Sequence, residues 1–569
     1  MSQVMRGIGI GVGAAAGPVV RLAAPPAEPP VGSPPAVADP EAETARAVAA
    51  LADIATLLRA RGEAAGGTAR DVLEAAAMMA EDPELAARVA ALIAEGRAAA
   101  RAVHEGLLEF AETLRALGGY LAERVADLED IRMRAVALLT GVPMPGVPTL
   151  TRPSVLVARD LAPADTAVLD TAKVLGFVTE LGAPTSHTAI LAKQLGIPAV
   201  VGCPAAADLA DGATVIVDGS TGEVHVDPPR AVLDGIATRA AALATATVPT
   251  GPGRTADGSP VALLVNVGTV DDALAAGAMP SEGVGLFRTE LLYLNRHTPP
   301  PVSAQVEVYR TVFDAFAGRK VVVRTLDAGA DKPLPFYRHG QEANPALGVR
   351  GLRTARRAPE LLADQLVAIA EAAADGSAEA WVMAPMVSTP TEAAEFAEAA
   401  RAVGLPTVGA MIEVPAAALR TERILGSCDF VSLGTNDLAQ YCFAADRTEA
   451  ALADLLDFWQ PALLDLIDIA ADAGRRTGRP VGVCGEAASD PLMALVLVGL
   501  GVTSLSMAPA CVPAVRAALS SHSLERCRLM ACAARDSEDP AGARDSVRQL
   551  ADPALRDTLM STAGGRSEC

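Results

Sequence analysis

Residues that could handle phosphate and protons recur at one kind of place in this chain, the C-terminal end of a short apolar run. "GVGLFR" ends in Arg288-Thr289-Glu290, and "KVVVRTL" carries Arg324 followed by Asp327. "TVGAMIE" ends in Glu413, "FVSLG" leads into Thr435-Asn436-Asp437 with Arg447 on the loop beyond, and "PVGVCGE" ends in Cys484-Gly485-Glu486. "ENPALGVRGLR" adds Arg350 on the long segment after Arg324. Guanidinium forks bind phosphate and carboxylate bidentately, so several arginines at one mouth suit a small molecule with several negative charges. Glu413 and Asp437 beside an asparagine suit Mg²⁺, a hard cation that shares oxygen ligands with a bound phosphate. A cysteine near arginines and a metal could act as an acid or a nucleophile. Taken singly, each residue has a plain reading: a rim salt bridge, or a core cysteine. Together they imply a small, phosphorylated, anionic ligand.

A second place carries different chemistry. "GAPTSHTAILAKQLGIPAVVG" (Gly182–Gly202) sets His187, one of six histidines, between Ser186 and Thr188 at the start of an apolar helix. Two readings stand: a capped, buried histidine, or a nucleophile whose anionic adduct would rest on helix-start N–H groups.

The elements that must position these residues follow from periodicity. After Ser259, eight β runs alternate with helix-like stretches: 261–267, 283–288, 320–326, 381–386, 407–413, 430–434, 480–486 and 504–507. Their spacing fits a (β/α)8 TIM barrel, whose active sites form at the C-terminal strand ends. From about 40 to 140, apolar residues recur at three and four, which predicts a helical bundle. Between about 145 and 228 short β runs alternate with helices, a small α/β domain whose first strand is expected at residues 5–13, making the bundle an insertion. "GIGIGVG" invites a dinucleotide-binding reading, but prolines follow where a helix would be needed. The fold class expected is therefore α/β multidomain: an α/β domain with an inserted helical bundle, then a TIM barrel.

Composition narrows the function. The 569-residue chain is 51% apolar with a formal charge of −21, which argues against nucleic-acid binding and membrane docking. Eight scattered cysteines show neither zinc nor disulfide spacing, which suits a reducing cytoplasm. The apolar run 492–505 is too short to cross a bilayer, so no membrane insertion is expected.

With these motifs in order, the chain resembles enzyme I of the bacterial phosphotransferase system, the phosphoenolpyruvate–protein phosphotransferases, over nearly its whole length. "GAPTSHTAILA" resembles the family's phosphohistidine motif and "EGVGLFRTELLY" its phosphoenolpyruvate-binding strand end. "VVVRTLDAGADKPLP", "ENPALGVRGLR", "GAMIEVPAAAL", "SLGTNDLAQY", "AADR" and "GVCGEAASDP" continue the match. The resemblance implies that His187 takes the phosphoryl group and that Arg288, Arg324, Arg447, Asn436 and Asp437 hold phosphoenolpyruvate, with Arg350 a further candidate. It implies that Glu413 and Asp437 ligate Mg²⁺ and that Cys484 protonates the enolate to pyruvate. By the same resemblance, residues 1–25 and 143–228 form a swivelling phosphohistidine domain, and 26–142 the insertion that binds the phosphocarrier protein HPr. Residues 229–258 form a linker helix and hinge, 259–535 the barrel through which a homodimer forms, and 536–569 a C-terminal tail. Ala183, Pro184 and Lys193 depart from the family's usual Gly-Gly-Arg-Thr-Ser-His pattern and downstream arginine, which bears on phosphohistidine stabilisation or HPr pairing. The rivals are a pyruvate phosphate dikinase or phosphoenolpyruvate synthase, a regulatory paralogue, and a barrel lyase. The first requires a large ATP-binding domain ahead of the histidine, and the last leaves the histidine motif unexplained.

Overall fold

The structure is a computed structural model. It describes residues 3–11, 13–22, 26–30, 39–65, 67–117, 125–146, 148, 150–159, 161, 169, 173–182, 188–189, 191–192, 196–219, 221–230, 232–236, 251–293, 296, 298–329, 334, 336–337, 342–374, 376–447, 449–553 and 555. The chain divides into two compact units, one of residues 1–10 and 14–233, the other of 11–13 and 234 onward.

The first unit holds an eight-stranded sheet: β1 (Gln3–Arg6), β2 (Ile8–Ile10), β3 (Ala14–Arg21), β4 (Ser154–Ala158), β5 (Val174–Thr179), β6 (Ala199–Val201), β7 (Thr214–Asp218) and β8 (Glu223–Val226). Their order is β1-β8-β7-β3-β4-β5-β6-β2. The single strand expected at 5–13 is thus two strands, β1 and β2. β1 pairs with β8 at one end of the order and β2 with β6 at the other, so the sheet curls until Gly7 can turn the corner between them. This is what the glycine-rich start is for. A Cβ on Gly9 would meet the Gly219 carbonyl oxygen at 2.4 Å, and one on Gly7 would meet that of Val201 at 2.7 Å. Backbone must pass close to backbone, and a side chain would block it.

Between β3 and β4 the chain leaves the sheet for helices Pro40–Ala65, Gly67–Ala80, Pro83–Ala94, Ala99–Leu117 and Val125–Thr140. Leu51, Ile54, Leu58, Leu85, Val89, Val103, Leu107 and Ile131 bury the stripe that the three-and-four spacing predicts. The Asp82 carboxylate caps its helix by accepting from Glu84 N at 2.7 Å.

The second unit is a closed barrel. Strands β9 (Ala262–Val267), β10 (Gly283–Arg288), β11 (Lys320–Arg324), β12 (Glu379–Ala384), β13 (Thr407–Ile412), β14 (Phe430–Leu433), β15 (Val481–Val483) and β16 (Ser504–Met507) pair in sequence order, all parallel, with β16 closing on β9. The eight expected runs are the eight strands. Strands covered on both faces read as continuous apolar runs, and that is how these were found. Capping boxes at Thr269/Asp272 and Thr389/Glu392 start two of the outer helices.

The tail expected from residue 536 begins later than that. Pro540–Leu550 is a helix whose Ala543 and Val547, with Ala551 beyond, join the barrel's core. The reason lies in the apolar stretch at 492–505. Its helix, Pro491–Leu500, buries nine of ten residues, and helices Leu524–Arg535 and Pro540–Leu550 supply its cover. Gly499 lets the Leu524–Arg535 helix approach, since a Cβ there would lie 2.1 Å from the Cys527 carbonyl oxygen. Charges on the Pro540–Leu550 helix, such as Arg544, Asp545 and Arg548, disguise its narrow apolar face. No described helix is long and apolar enough to cross a membrane. Of the expected linker, residues 237–250 lie outside the described residues.

Candidate active site

Five strands, β10, β11, β13, β14 and β15, deliver polar residues to the C-terminal mouth of the barrel, and most of these side chains are buried. Arg324, at the end of β11, bonds Glu290 and lies 3.3 Å from Asp327. Arg350 bridges Asp327 at 3.2 Å and Asp437 at 3.1 Å, and Asp437 in turn accepts from Arg447 at 3.4 Å. The result is one alternating chain of charge: Glu290, Arg324, Asp327, Arg350, Asp437, Arg447. Its middle is dry, since Asp327 and Arg350 are each only 1% exposed. Burial works against charge on Arg324, yet Glu290, Asp327 and Glu413 outweigh it and hold the guanidinium more firmly protonated than usual.

Two groups stand outside this chain. Arg288, at the end of β10 and opposite Arg324 in register, is exposed and has no ion-pair partner among the described residues. Glu413 is buried with no arginine of its own; its Oε1 accepts from Met386 N at 2.5 Å. Burial, then the Asp437 and Asp327 carboxylates, push its carboxyl up to about 8. Met386 takes a left-handed φ of 57° to aim that N–H, a strained backbone for a long side chain. The mouth therefore carries two open ends of opposite sign, a crowded acid that lacks a cation and a spare arginine that awaits an anion.

The crowded acid tests the fit of a divalent cation. Glu413 and Asp437 are hard oxygen donors whose mutual repulsion a cation would relieve. Among the described residues no cluster of three or more His, Cys, Asp or Glu could hold a metal alone. Two carboxylates completed by substrate oxygens and water is the usual arrangement for Mg²⁺.

Cys484 follows β15 directly and points into the barrel among Leu286, Val322, Met383, Met411 and Phe430. Its Sγ donates to Leu433 O at 3.6 Å, and burial raises its pKa, so it remains a thiol at neutral pH. Asn436, in the first turn of helix Thr435–Phe443, exchanges hydrogen bonds of 3.4 Å with Glu486.

The mouth thus brings together Arg288, Arg324, Arg350, Glu413, Asn436, Asp437, Arg447 and Cys484. His187 and Lys193, with Ala183 to Ser186, lie outside the described residues. Their neighbour Thr188 is fully buried, and its hydroxyl has no hydrogen-bond partner among the described residues.

Sequence reasoning passed over Asn266, whose Nδ2 donates to Cys484 O at 3.3 Å, and Tyr441, whose hydroxyl bonds Ala346 O and lies 3.4 Å from Arg350. It also missed Gln365, fully buried on helix Pro359–Ala373. A signal existed for Gln365: it falls on the apolar stripe with Leu361, Ala368 and Ile369.

Comparison with known proteins shows the family. The family model for the PEP-utilising enzyme PEP-binding domain matches residues 244–524, that for the mobile domain 150–222, and that for the N-terminal region 6–124. A phosphoenolpyruvate-protein phosphotransferase of Streptomyces coelicolor is 52% identical over 556 residues, covering 97% of this chain and 99% of its own. Proteins of the same name from Haloferax volcanii (40% identical, 79% of this chain, 81% of its own) and Bacillus subtilis (35%, 91% and 94%) also match. The chain belongs to the phosphoenolpyruvate–protein phosphotransferases, enzyme I of the phosphotransferase system, and its activity is phosphoryl transfer from phosphoenolpyruvate.

Proposed function

We propose that this chain moves the phosphoryl group of phosphoenolpyruvate to its own His187 and then to a histidine of the phosphocarrier protein HPr, releasing pyruvate, as the first step of sugar uptake. The observation that carries this reading is the charge arrangement of the barrel mouth, with Arg288 unpaired and Glu413 uncompensated beside a buried thiol.

In this reading Arg288, Arg324 and Arg447 hold the phosphate and carboxylate, with Arg350 and Asn436 completing the pocket. A neutral His187 nitrogen attacks phosphorus in line as the bond to the enol oxygen breaks. The arginines spread the charge that gathers on the phosphoryl oxygens. Mg²⁺ on Glu413 and Asp437 would add its charge to the same oxygens. The enolate then takes a proton at carbon from the Cys484 thiol, giving pyruvate, and solvent restores the thiol. The Thr188 hydroxyl, without a hydrogen-bond partner among the described residues, is suited to donate to a phosphoryl oxygen beside His187.

Donor and acceptor chemistry belong to different domains, so the domain of 1–25 and 143–228 would swivel about 229–258 while 26–142 docks HPr. The protein would act in the cytoplasm as a homodimer through the barrel. The test is transfer of labelled phosphate from phosphoenolpyruvate to the purified protein with Mg²⁺ and without ATP. Acid-labile label that passes to HPr and is lost in His187→Ala is expected. Label that requires ATP, or that survives His187→Ala, would overturn the reading.

A further inference from the structure

The arginines that meet the phosphate must be held at a fixed separation, and the ladder that carries them ends at the arginines themselves. Arg288 and Arg324 are register partners at the last rung of the β10–β11 ladder. Beyond them lie Thr289-Glu290 and Thr325-Leu326-Asp327, where side chains take over as fasteners. The Thr289 hydroxyl donates to Arg324 O at 2.9 Å. It also accepts from Gln365 Nε2 at 3.1 Å, and Gln365 Oε1 accepts from Leu326 N at 2.9 Å.

Gln365 also donates to the Tyr309 hydroxyl at 3.0 Å, and Tyr309 stands edge-on to Phe287 with ring centroids 6.1 Å apart. Gln365, Thr289 and Tyr309 are all fully buried. Both ends of the amide are therefore committed: its oxygen to the backbone between Arg324 and Asp327, its nitrogen to the residue between Arg288 and Glu290. Shielded from bulk solvent, a group that loses its partner here pays the full cost of an unmade hydrogen bond.

We propose that Gln365, acting through Thr289, is a positioning residue for phosphoenolpyruvate capture: one buried amide sets the spacing of the strand ends that carry Arg288 and Arg324. It touches neither substrate nor metal. Its effect reaches the reaction through two guanidinium groups, for which misplacement by about 1 Å is worth roughly a hundredfold in rate. The inference rests on the reading of the barrel mouth as the phosphoenolpyruvate site.

The experiment compares the full-length protein with Gln365→Leu, Thr289→Val and Thr289→Ser. Label uptake is followed against phosphoenolpyruvate concentration, with onward transfer from prephosphorylated protein to HPr and a melting curve measured in parallel. Gln365→Leu is expected to lower kcat/KM roughly a hundredfold. Thr289→Val should lower it about tenfold, mainly as a raised KM, because the arginines hold the substrate before it reacts. Thr289→Ser, which keeps the hydroxyl, should restore the value to within about twofold. Onward transfer should be unchanged in all three, since the barrel takes no part in it.

If Gln365→Leu does not fold, Thr289→Val against Thr289→Ser decides. Variants that melt lower but keep wild-type KM and kcat would show mere core packing and overturn the proposal. Equal loss in both half-reactions would do the same. Wild type that takes no label would overturn the phosphoenolpyruvate reading itself, and this inference with it.

Discussion

The helical bundle and the barrel mouth use the same arginine–carboxylate pairs to opposite ends. In the bundle, Arg59 meets Glu81 at 2.7 Å and Arg88 meets Glu109 at 2.7 Å, with every partner at least a third exposed. Such pairs are screened by water and each is easily replaced. In the mouth, Arg350 meets Asp327 at 3.2 Å and Asp437 at 3.1 Å, with hardly any surface left on either the arginine or Asp327. The mouth distances are longer, yet the consequences of breaking these contacts are larger. What differs is not the length of the bond but what remains when one partner goes: a solvated charge in one case, a stranded charge in the other.

The sharpest way to break this comparison is Arg350→Met, which removes the cation between Asp327 and Asp437 and leaves each acid only its outer arginine, Arg324 or Arg447. A loss of about 3–5 kcal/mol in the stability of the barrel is expected, read by chemical denaturation. A loss below about 1 kcal/mol would put the mouth in the same class as the bundle.

Cys484→Ala tests the mouth's chemistry rather than its stability. Pyruvate release should slow by about a hundredfold or more, with the fold intact by circular dichroism. Burial raises the pKa of this thiol, so the proton-bearing form is present through neutral pH and is lost only as pH rises past the ordinary thiol range. A rate that already falls between pH 6 and 8 through thiolate formation would contradict that environment.

Glu413→Gln separates stability from activity. It replaces a buried carboxyl that crowding keeps largely protonated at neutral pH with a neutral amide of the same shape, so the metal-free protein should melt no lower than wild type, and its demand for Mg²⁺ in phosphoryl transfer should rise at least about tenfold. A Mg²⁺ titration of label uptake, beside a melting curve with chelator, reads both. The smallest effect belongs to the bundle. Arg59→Ala should shift the melting midpoint by under about 2 °C and leave label uptake from phosphoenolpyruvate unchanged.

Legibility in the sequence followed burial pattern. The eight barrel strands could be read because strands covered on both faces are continuous apolar runs, and polar residues at their ends stand out. The bundle could be read from its three-and-four spacing. The first strands could not: Gln3–Arg6 and Ile8–Ile10 read as one run because nothing local says that Gly7 lies where the two ends of a curled sheet meet. Helix Pro540–Leu550 reads as tail because its buried face is alanine and valine, and the need to cover Pro491–Leu500 is a tertiary fact.

By itself the sequence determined which chemical groups reach the mouth of the barrel. Strand order sets the order of strand ends, and the residue after each strand is carried there by chain connectivity. Only the tertiary structure decided how these groups share their charges. Arg350 could have served Asp327, Glu413 or Asp437, and Gln365 could have been an ordinary core residue. Pairing depends on distances of a few ångströms between residues tens of positions apart, and on the exclusion of water. No local pattern records either quantity, because both arise only when the strands close.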